Sequence, residues 1–352
     1  MTALGAGSGE VRLFAGTYAR NGGEGLCTAI RDPGGDWSLG LAFVEVANAS
    51  FGTYAPRHDL YYFVDEQASA LNVLRRGDGW ERLARIGTMG EQPCYVALSA
   101  DQSWLAVANY GSGSITLWRL DPQSGLPLDL PEVRQNRGSG PVAGRQNGPH
   151  AHCVCFSLDQ RWLYHVDLGT DQVLAYPFDA DARWLGDATR VYAAPAGSGP
   201  RHLVFHPRVP LALLVSELAS TVTVLEVGNG LLIPRETLST LPVDFRGGSL
   251  AGHISVNAAG DRAYVTNRGH DSIAVFTWYD GVLELQQHVS SGGASPRSFV
   301  LLEAERQLAL ANEEGGNLTF FDLGEDGGLS PAGVDLPLPG AVFLMAAPAP
   351  SR

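Results

Sequence analysis

The chain has 352 residues, of which 45% are hydrophobic and only 17% are charged, and it contains 43 glycines and 21 prolines. This composition supplies a large core and many turns, and it argues against long helices and long disordered tails. The net charge of -13 disfavours a general nucleic-acid binder, because phosphate backbones attract a positive field. All 24 basic residues are arginine, which excludes chemistry that needs a lysine amine.

The two ends and the cysteines carry little signal. The opening MTALGAGSGEVR lacks an apolar segment after a basic start, and no apolar stretch is long enough to cross a bilayer. Four cysteines are too few and too irregularly spaced for a disulfide framework in a chain of this size. We therefore expect a cytoplasmic protein without a membrane partner, in which residues 1–10 form a flexible segment.

One pattern recurs seven times along the chain: a short apolar strand, a polar residue, a small or glycine-rich turn, and a strand of alternating polarity. The copies lie at FAGTYARNGGEGLCTAI (14–30), YFVDEQASALNVL (62–74), AVANYGSGSITLWRL (106–120), YHVDLGTDQVLAYPF (164–178), LVSELASTVTVLEV (214–227), YVTNRGHDSIAVFTW (264–278) and LANEEGGNLTFFDL (310–323). The polar residue is taken as the anchor of each copy, which gives Thr17, Asp65, Asn109, Asp167, Glu217, Asn267 and Asn312. These anchors lie 44 to 58 residues apart.

After the first copy, the copies also have an earlier apolar strand, such as EQPCYVALS, and a weaker fourth strand, such as RETLSTL. Four short strands at a period of 40 to 50 residues are typical of a β-propeller blade. The first copy lacks an inner strand, whereas GAVFLMAAP (340–348) is left over at the C-terminus. The sequence therefore predicts an all-β, seven-bladed β-propeller over residues 1–352, closed by a C-terminal inner strand that joins the N-terminal blade.

The spacing is longest where residues 121–149, containing LPLDLPEVRQNRGSGPVAGRQNG, interrupt the pattern. Long loops in compact folds are often functional. Two interpretations stay open: a tolerated surface loop, or a flap over the mouth of the central channel.

The repeat geometry also predicts where a site would form. The residue 15 positions before an anchor opens the inner strand, so both positions lie at one end of a hairpin and face one mouth of the channel. The charged and titratable residues at or beside these positions are His150, His152, Arg201, His202, Glu217, Arg268, His270 and Arg297. The HAHCVC segment places its cysteines on or near the strand face opposite the two histidines, so we expect no metal and no cofactor.

Seven segments distributed over the chain carry a further signal: FAGTY (14–18), VANYGSGS (107–114), VDLGTDQV (166–173), GPRHLVFHP (199–207), SELASTVTVLEV (216–227), NRGHDSIAVF (267–276) and SPRSF (295–299). Together they resemble segments of the lactonase family of β-propellers. The succession of PRH, SEL and NRGHDS is the specific part of this resemblance. The chain departs from the family at His253-Ile254-Ser255, where members usually have an acid-Ile-His segment, and this change could alter how substrate fits.

The resemblance implies an ester hydrolase that opens a sugar lactone, with 6-phosphogluconolactone of the pentose phosphate pathway as the expected substrate. Related carboxymuconate-lactonising enzymes line their site with a histidine, two arginines and a glutamate. Matched to this chain, these are His152, Arg201 and Glu217 as catalytic residues and Arg268 as the second arginine, with Arg297 as a further candidate. We add His150, His202 and His270 as candidate substrate-binding residues.

Lactone hydrolysis requires a positioned water, a base and stabilisation of the developing oxyanion. Either Glu217 or His152 would remove the proton from water, and an arginine would stabilise the carbonyl oxygen. Arg201, Arg268 and Arg297 would hold the phosphate, because guanidinium groups suit phosphate geometry. Two alternatives stay open: a cycloisomerase in which the arginines bind carboxylates, and a propeller that binds a ligand without catalysis.

Overall fold

The structure is a computed structural model that describes residues 10–182 and 185–348. These residues form seven four-stranded antiparallel sheets. The predicted all-β, seven-bladed propeller is therefore confirmed. Of the N-terminal segment expected to be flexible, residues 1–9 lie outside the described residues. Within the described ranges, no helix is both long enough and apolar enough to cross a bilayer.

The strands are numbered in chain order, and each blade takes four of them from the channel outwards. Blade 1 contains β28 (Ala341–Ala346), β1 (Val11–Thr17), β2 (Leu26–Arg31) and β3 (Trp37–Leu39). Blade 2 contains β4 (Gly52–Ala55), β5 (Leu60–Asp65), β6 (Ala70–Arg76) and β7 (Trp80–Gly87). Blade 3 contains β8 (Pro93–Leu98), β9 (Trp104–Asn109), β10 (Ser114–Arg119) and β11 (Glu132–Gln135).

The remaining blades follow the same order. Blade 4 contains β12 (Ala151–Phe156), β13 (Trp162–Asp167), β14 (Gln172–Pro177) and β15 (Thr189–Ala193), and blade 5 contains β16 (Pro200–Phe205), β17 (Leu211–Ser216), β18 (Thr221–Gly228) and β19 (Leu231–Ser239). Blade 6 contains β20 (Leu250–Val256), β21 (Arg262–Arg268), β22 (Ser272–Tyr279) and β23 (Val282–Ser290), and blade 7 contains β24 (Pro296–Leu302), β25 (Gln307–Asn312), β26 (Asn317–Leu323) and β27 (Leu329–Pro337). Two short 3₁₀ helices cover Ala19–Asn21 and Glu303–Glu305.

The ring closes as predicted. Strand β28 pairs antiparallel with β1, from Leu13 opposite Ala346 to Thr17 opposite Ala341. The inner strands contact one another in the order β28, β4, β8, β12, β16, β20, β24, and β24 contacts β28 again. Closure removes the unpaired inner edge that β1 would otherwise present, and it brings the starts of all seven inner strands to one end of the channel.

Apolar side chains hold neighbouring blades together. Between blades 5 and 6, for example, Leu213, Val215 and Val224 are fully buried against Val265 and Phe276. Each fully buried side chain of this size contributes about 1.5–3 kcal/mol relative to an exposed one. The outer strand β27 alternates exposed and half-buried residues from Pro331 to Pro337, as expected for a blade edge in contact with solvent. The packed blades therefore hold the polar side chains at the channel end in fixed positions.

Most inner strands open with an irregularity that the sequence pattern does not reveal. The pairing register shifts at Pro93/Tyr95, Ala151/Cys153, Pro200/His202 and Pro296/Ser298, so one residue bulges out of each pair of strands. The four bulged residues are Cys94, His152, Arg201 and Arg297, and all four line one cavity in the channel. A bulge re-aims the side chain of the extra residue. These bulges explain why residues from four different blades face the same space.

The pairing corrects one anchor. Asn109, Asp167, Asn267 and Asn312 each pair with the first residue of the strand that follows, and in blade 5 that place belongs to Ser216, which pairs with Thr221. Placing Glu217 at the anchor is therefore wrong by one residue, because the smaller Ser216 ends β17. Glu217 instead belongs to a row of residues that directly follow the anchors, which we call the mouth row: Tyr18, Glu66, Tyr110, Leu168, Glu217, Arg268 and Glu313.

Candidate active site

The carboxylate of Glu217 lies at the centre of the site. Its side chain is only 4% exposed, and Oε2 accepts a hydrogen bond from Arg201 Nε at 3.0 Å and forms an ion pair with Arg268 Nη2 at 2.8 Å. Oε1 accepts a hydrogen bond from Arg145 Nη2. His152 Nε2 lies 3.8 Å from Oε2. The structure thus brings together the three residues predicted to be catalytic and one predicted to bind substrate, from blades 4, 5 and 6.

The surrounding charges keep this carboxylate ionised. Burial on its own would raise the pKa of Glu217, but Arg268 and Arg201, then His152 and Arg145, lower that pKa well below its usual value. One negative charge therefore faces three guanidinium groups. The channel mouth carries a local cationic excess in a chain whose net charge is -13, which suits an anionic ligand.

His152 is uncharged at neutral pH. Burial lowers the pKa of His152 well below its usual value and Arg201 lowers it further, while Glu217 opposes this shift. Its ring lies 5.3 Å from that of His202 and 5.5 Å from that of Tyr110, centroid to centroid. Neutral imidazole has a free lone pair, so His152 can accept a proton at neutral pH.

Backbone carbonyls of β20 fix the two buried arginines. Arg201 Nη1 donates to the carbonyl of Gly252 at 2.8 Å, and Arg268 Nη2 donates to the carbonyl of Ala251 at 2.9 Å. Burial and the neighbouring charge of Arg268 lower the pKa of Arg201 to about 10, which leaves it protonated at neutral pH. Arg268 Nε is buried and has no hydrogen-bond partner among the described residues. The site therefore holds a guanidinium donor that a substrate oxygen can satisfy.

Arg297 lines the same cavity but belongs to a second network. Its Nη1 donates to Glu313 Oε2 at 3.1 Å, and its Nη2 donates to the hydroxyl of Tyr18 at 2.9 Å, which in turn donates to Glu66. Burial alone would lower the pKa of Arg297, but Tyr18 and Glu313 raise it. The predicted placement of Arg297 at the channel stands, whereas its ion pair is with Glu313 and not with Glu217.

The three candidate histidines occupy different places. His150 stacks on Tyr110 with ring centroids 4.4 Å apart, and its Nδ1 lies 2.8 Å from the carbonyl oxygen of Tyr110. His202 is buried in the cavity wall. His270 contacts Ser272, Phe245 and His288, and within the described residues it makes no contact with the Glu217 group. The structure does not bring His270 to the site, because the turn after Arg268 directs its ring towards Phe245.

Arg145 is a residue of the Glu217 group that the sequence analysis missed, and it comes from the 121–149 segment. The segment also contacts blade 4, where Asn136 Nδ2 donates to Asp167 Oδ2 at 2.8 Å. These contacts favour the flap over the tolerated surface loop. Tyr18, Tyr110 and Glu313 were missed too, although the mouth row would have revealed them once Ser216 was taken as the anchor. Among the described residues, no group of three or more His, Cys, Asp or Glu side chains could hold a metal ion.

Comparison with known proteins agrees with this geometry. The chain is 31% identical over 360 residues to the 6-phosphogluconolactonase of Bacillus subtilis, and the match covers 94% of this chain and 97% of that one. A periplasmic gluconolactonase of Pseudomonas aeruginosa has a similar structure, with a TM-score of 0.88 and 26% identity over 97% of this chain and all of that chain. A Lactobacillus plantarum protein gives the same TM-score and identity over the same shares of both chains.

The sequence model of the family described as "Lactonase, 7-bladed beta-propeller" matches residues 12–346. This match spans every blade and includes Arg145, His152, Arg201, Glu217 and Arg268. The chain therefore belongs to the lactonase family of seven-bladed β-propellers, and it is a hydrolase of cyclic carboxylic esters.

Proposed function

We propose that this protein hydrolyses 6-phosphogluconolactone to 6-phosphogluconate. The observation that carries the proposal is the buried carboxylate of Glu217 with three guanidinium groups and a neutral His152 around it. A phosphorylated sugar lactone brings the two features that this arrangement suits: a dianionic group and a carbonyl that becomes an oxyanion. The B. subtilis relative is named for this substrate, which supports the same choice.

His152 is the proposed general base. Both candidates have a lowered pKa, but Glu217 lies among three arginines and is ionised far more readily than an ordinary glutamate. A carboxylate in that setting is a very weak base. His152 is neutral at neutral pH, so its free lone pair can take a proton, whereas the Glu217 carboxylate is engaged by three guanidinium groups. It would take the proton from the attacking water, while Glu217 holds the guanidinium groups in position.

The arginines have the remaining roles. Backbone carbonyls fix Arg201 and Arg268, and both guanidinium groups pair with the carboxylate that faces His152, so one of them would stabilise the oxyanion that forms when water attacks the lactone carbonyl. The unpaired Nε of Arg268 is a donor suited to this task. Arg297 lines the same cavity and would add its positive charge near the phosphate, with His202 contributing to the cavity wall. His150, which stacks on Tyr110, would contact substrate beside that ring.

The test compares hydrolysis of fresh 6-phosphogluconolactone with its spontaneous opening, followed by proton release. Wild-type protein should accelerate the reaction, and His152→Gln should lower kcat about 100- to 10,000-fold, the usual contribution of a general base. Glu217→Gln should lower kcat/KM by about 100-fold, because two buried arginines lose their counter-ion. The matched control is Glu226→Gln, which removes an exposed ion pair with Arg235 on the outer part of the same blade.

The outcomes separate the alternatives. A rate equal to spontaneous opening for wild-type protein would refute lactone hydrolysis as proposed. Conversion of a carboxymuconate lactone without net hydrolysis would identify a cycloisomerase. Tight binding of lactones with no turnover would identify a ligand-binding propeller. Unchanged kinetics in His152→Gln would remove His152 from the role of base while leaving the substrate assignment in place.

A further inference from the structure

Arg145 is held differently from the other two arginines on Glu217. Its side chain is 35% exposed, compared with 4% for Arg201 and 12% for Arg268. Those two also donate to backbone carbonyls of β20. Within residues 10–182 and 185–348, the Arg145 guanidinium donates to no backbone carbonyl, and its neighbours are the side chains of Glu217 and Tyr110. Arg145 is therefore the guanidinium that solvent and a ligand can reach.

The backbone that carries this side chain is nonetheless fixed. Gln146 is fully buried, and its Nε2 donates to the carbonyl of Leu168 and to Asp171 Oδ1, both at 2.8 Å. The backbone carbonyl of Gln146 also accepts a hydrogen bond from Gly140 N at 3.0 Å. A rigid base with a long, half-exposed side chain allows the guanidinium to change partner without movement of the loop.

Glu217 does not require Arg145 as a counter-ion. Glu217 Oε2 is already paired with Arg201 and Arg268, so the carboxylate stays neutralised when Arg145 moves away. Moving Arg145 from Glu217 to an incoming anion thus costs one partly exposed ion pair and leaves no buried charge alone.

We propose that Arg145 is a specificity-determining residue, which releases Glu217 and binds the phosphate of the incoming lactone. This proposal rests on the proposed function of the same site. It assigns the selection of phosphorylated over unphosphorylated lactones to a side chain of the 121–149 segment, outside the repeated blades. Arg201 and Arg268 remain on Glu217 and serve the reaction at the lactone carbonyl.

The experiment measures kcat/KM of the full chain for 6-phosphogluconolactone and for glucono-δ-lactone, which lacks the phosphate. Arg145→Gln should lower the ratio of the two values about 10- to 100-fold, as expected for one charge-assisted hydrogen-bonded contact to phosphate. Most of the change should be in KM for the phosphorylated substrate. The control is Arg137→Gln, which removes an exposed arginine from the same segment and should leave the ratio unchanged.

Two results would overturn the proposal. One is an unchanged ratio in Arg145→Gln. The other is an equal loss on both lactones, since Arg145 would then act through Glu217 and not on phosphate. A loss confined to the phosphorylated lactone supports the proposal.

A second measurement separates this proposal from the proposed function. Where wild-type protein hydrolyses neither lactone, the proposed function fails, and calorimetric titration with 6-phosphogluconate and gluconate then tests Arg145 alone. Tighter binding of the phosphorylated acid by wild-type protein, lost in Arg145→Gln, supports the role of Arg145. An equal preference for 6-phosphogluconate over gluconate in wild-type protein and in Arg145→Gln overturns the role of Arg145.

Discussion

Three neutral histidines around the channel should make the fold sensitive to mild acid. His152, His202 and His253 come from blades 4, 5 and 6 and follow one another around the cavity. The ring centroids of His152 and His202 are 5.3 Å apart, and those of His202 and His253 are 5.4 Å apart. Burial, with the charge of Arg201, lowers the pKa of His253 to about 3 and the pKa of His152 and His202 well below the usual value. Folding therefore keeps all three uncharged where the unfolded chain would protonate them.

The sign and size of the effect follow from this difference. Unfolded histidines have a pKa near 6.5, so at pH 5.5 each binds a proton that the folded state excludes. Stability is full above pH 6.5 and is lost as the pH falls below it. His253, whose pKa is about 3 in the folded state, contributes about 1.4 kcal/mol to the loss between pH 7.5 and pH 5.5. His152 and His202 add to the loss in the same direction, because their pKa values are also lowered by burial.

The measurement is urea unfolding at pH 7.5 and pH 5.5, followed by tryptophan fluorescence. His253→Gln should retain about 1.4 kcal/mol more of its stability over this range than wild-type protein, whatever its stability at pH 7.5. Ser298→Ala is the control, because Ser298 lines the same cavity and does not titrate. Equal pH dependence of His253→Gln and wild-type protein would refute the reasoning.

Two further predictions concern the network around Arg297 and the position of the 121–149 segment. Arg297→Ala leaves the carboxylate of Glu313, whose side chain is 8% exposed, with the exposed Arg20 in place of its inner partner, and should destabilise the fold by about 3 kcal/mol in urea unfolding; a change below 1 kcal/mol would contradict the assigned pairing. Gly169→Ala places a Cβ 1.9 Å from the carbonyl oxygen of Gly148, so it should displace the end of the 121–149 segment and lower kcat/KM for the phosphorylated lactone at least as much as Arg145→Gln. The control is Gly87→Ala, because a Cβ at that position meets nothing within 4 Å. Equal activity of Gly169→Ala and Gly87→Ala would contradict the close packing of the 121–149 segment against Gly169.

The blades could be predicted because each strand pair repeats a short-range pattern. Alternating apolar residues and turn residues recur at one spacing, and the unmatched strand at 340–348 required a partner at the N-terminus. The same offsets placed His152, Arg201 and Glu217 at one channel mouth. These predictions depend on backbone geometry that every blade shares, and a repeated sequence pattern predicts that shared geometry.

The details that failed are those in which one blade differs from the others. Ser216 and Glu217 are both polar and adjacent, so the pattern alone could not show which of them ends β17. His270 is two residues beyond Arg268, and only the conformation of the turn, with Gly269 at φ +99°, decides where its ring points. Arg145 lies in a segment with no periodicity, and its contact with Glu217 joins residues 72 positions apart. No repeat encodes such a contact.

The charge distribution gives a reason for the burial of Glu217. A chain of net charge -13 repels an anionic substrate at long range, but at physiological ionic strength this repulsion is screened beyond about 8 Å. Attraction must therefore come from a local cluster of arginines, and such a cluster is unstable by itself because its members repel. One buried carboxylate among three guanidinium groups holds the cluster together and leaves a cationic excess. Buried ion pairs seldom add net stability compared with apolar packing, so the arrangement is better explained by substrate binding than by folding.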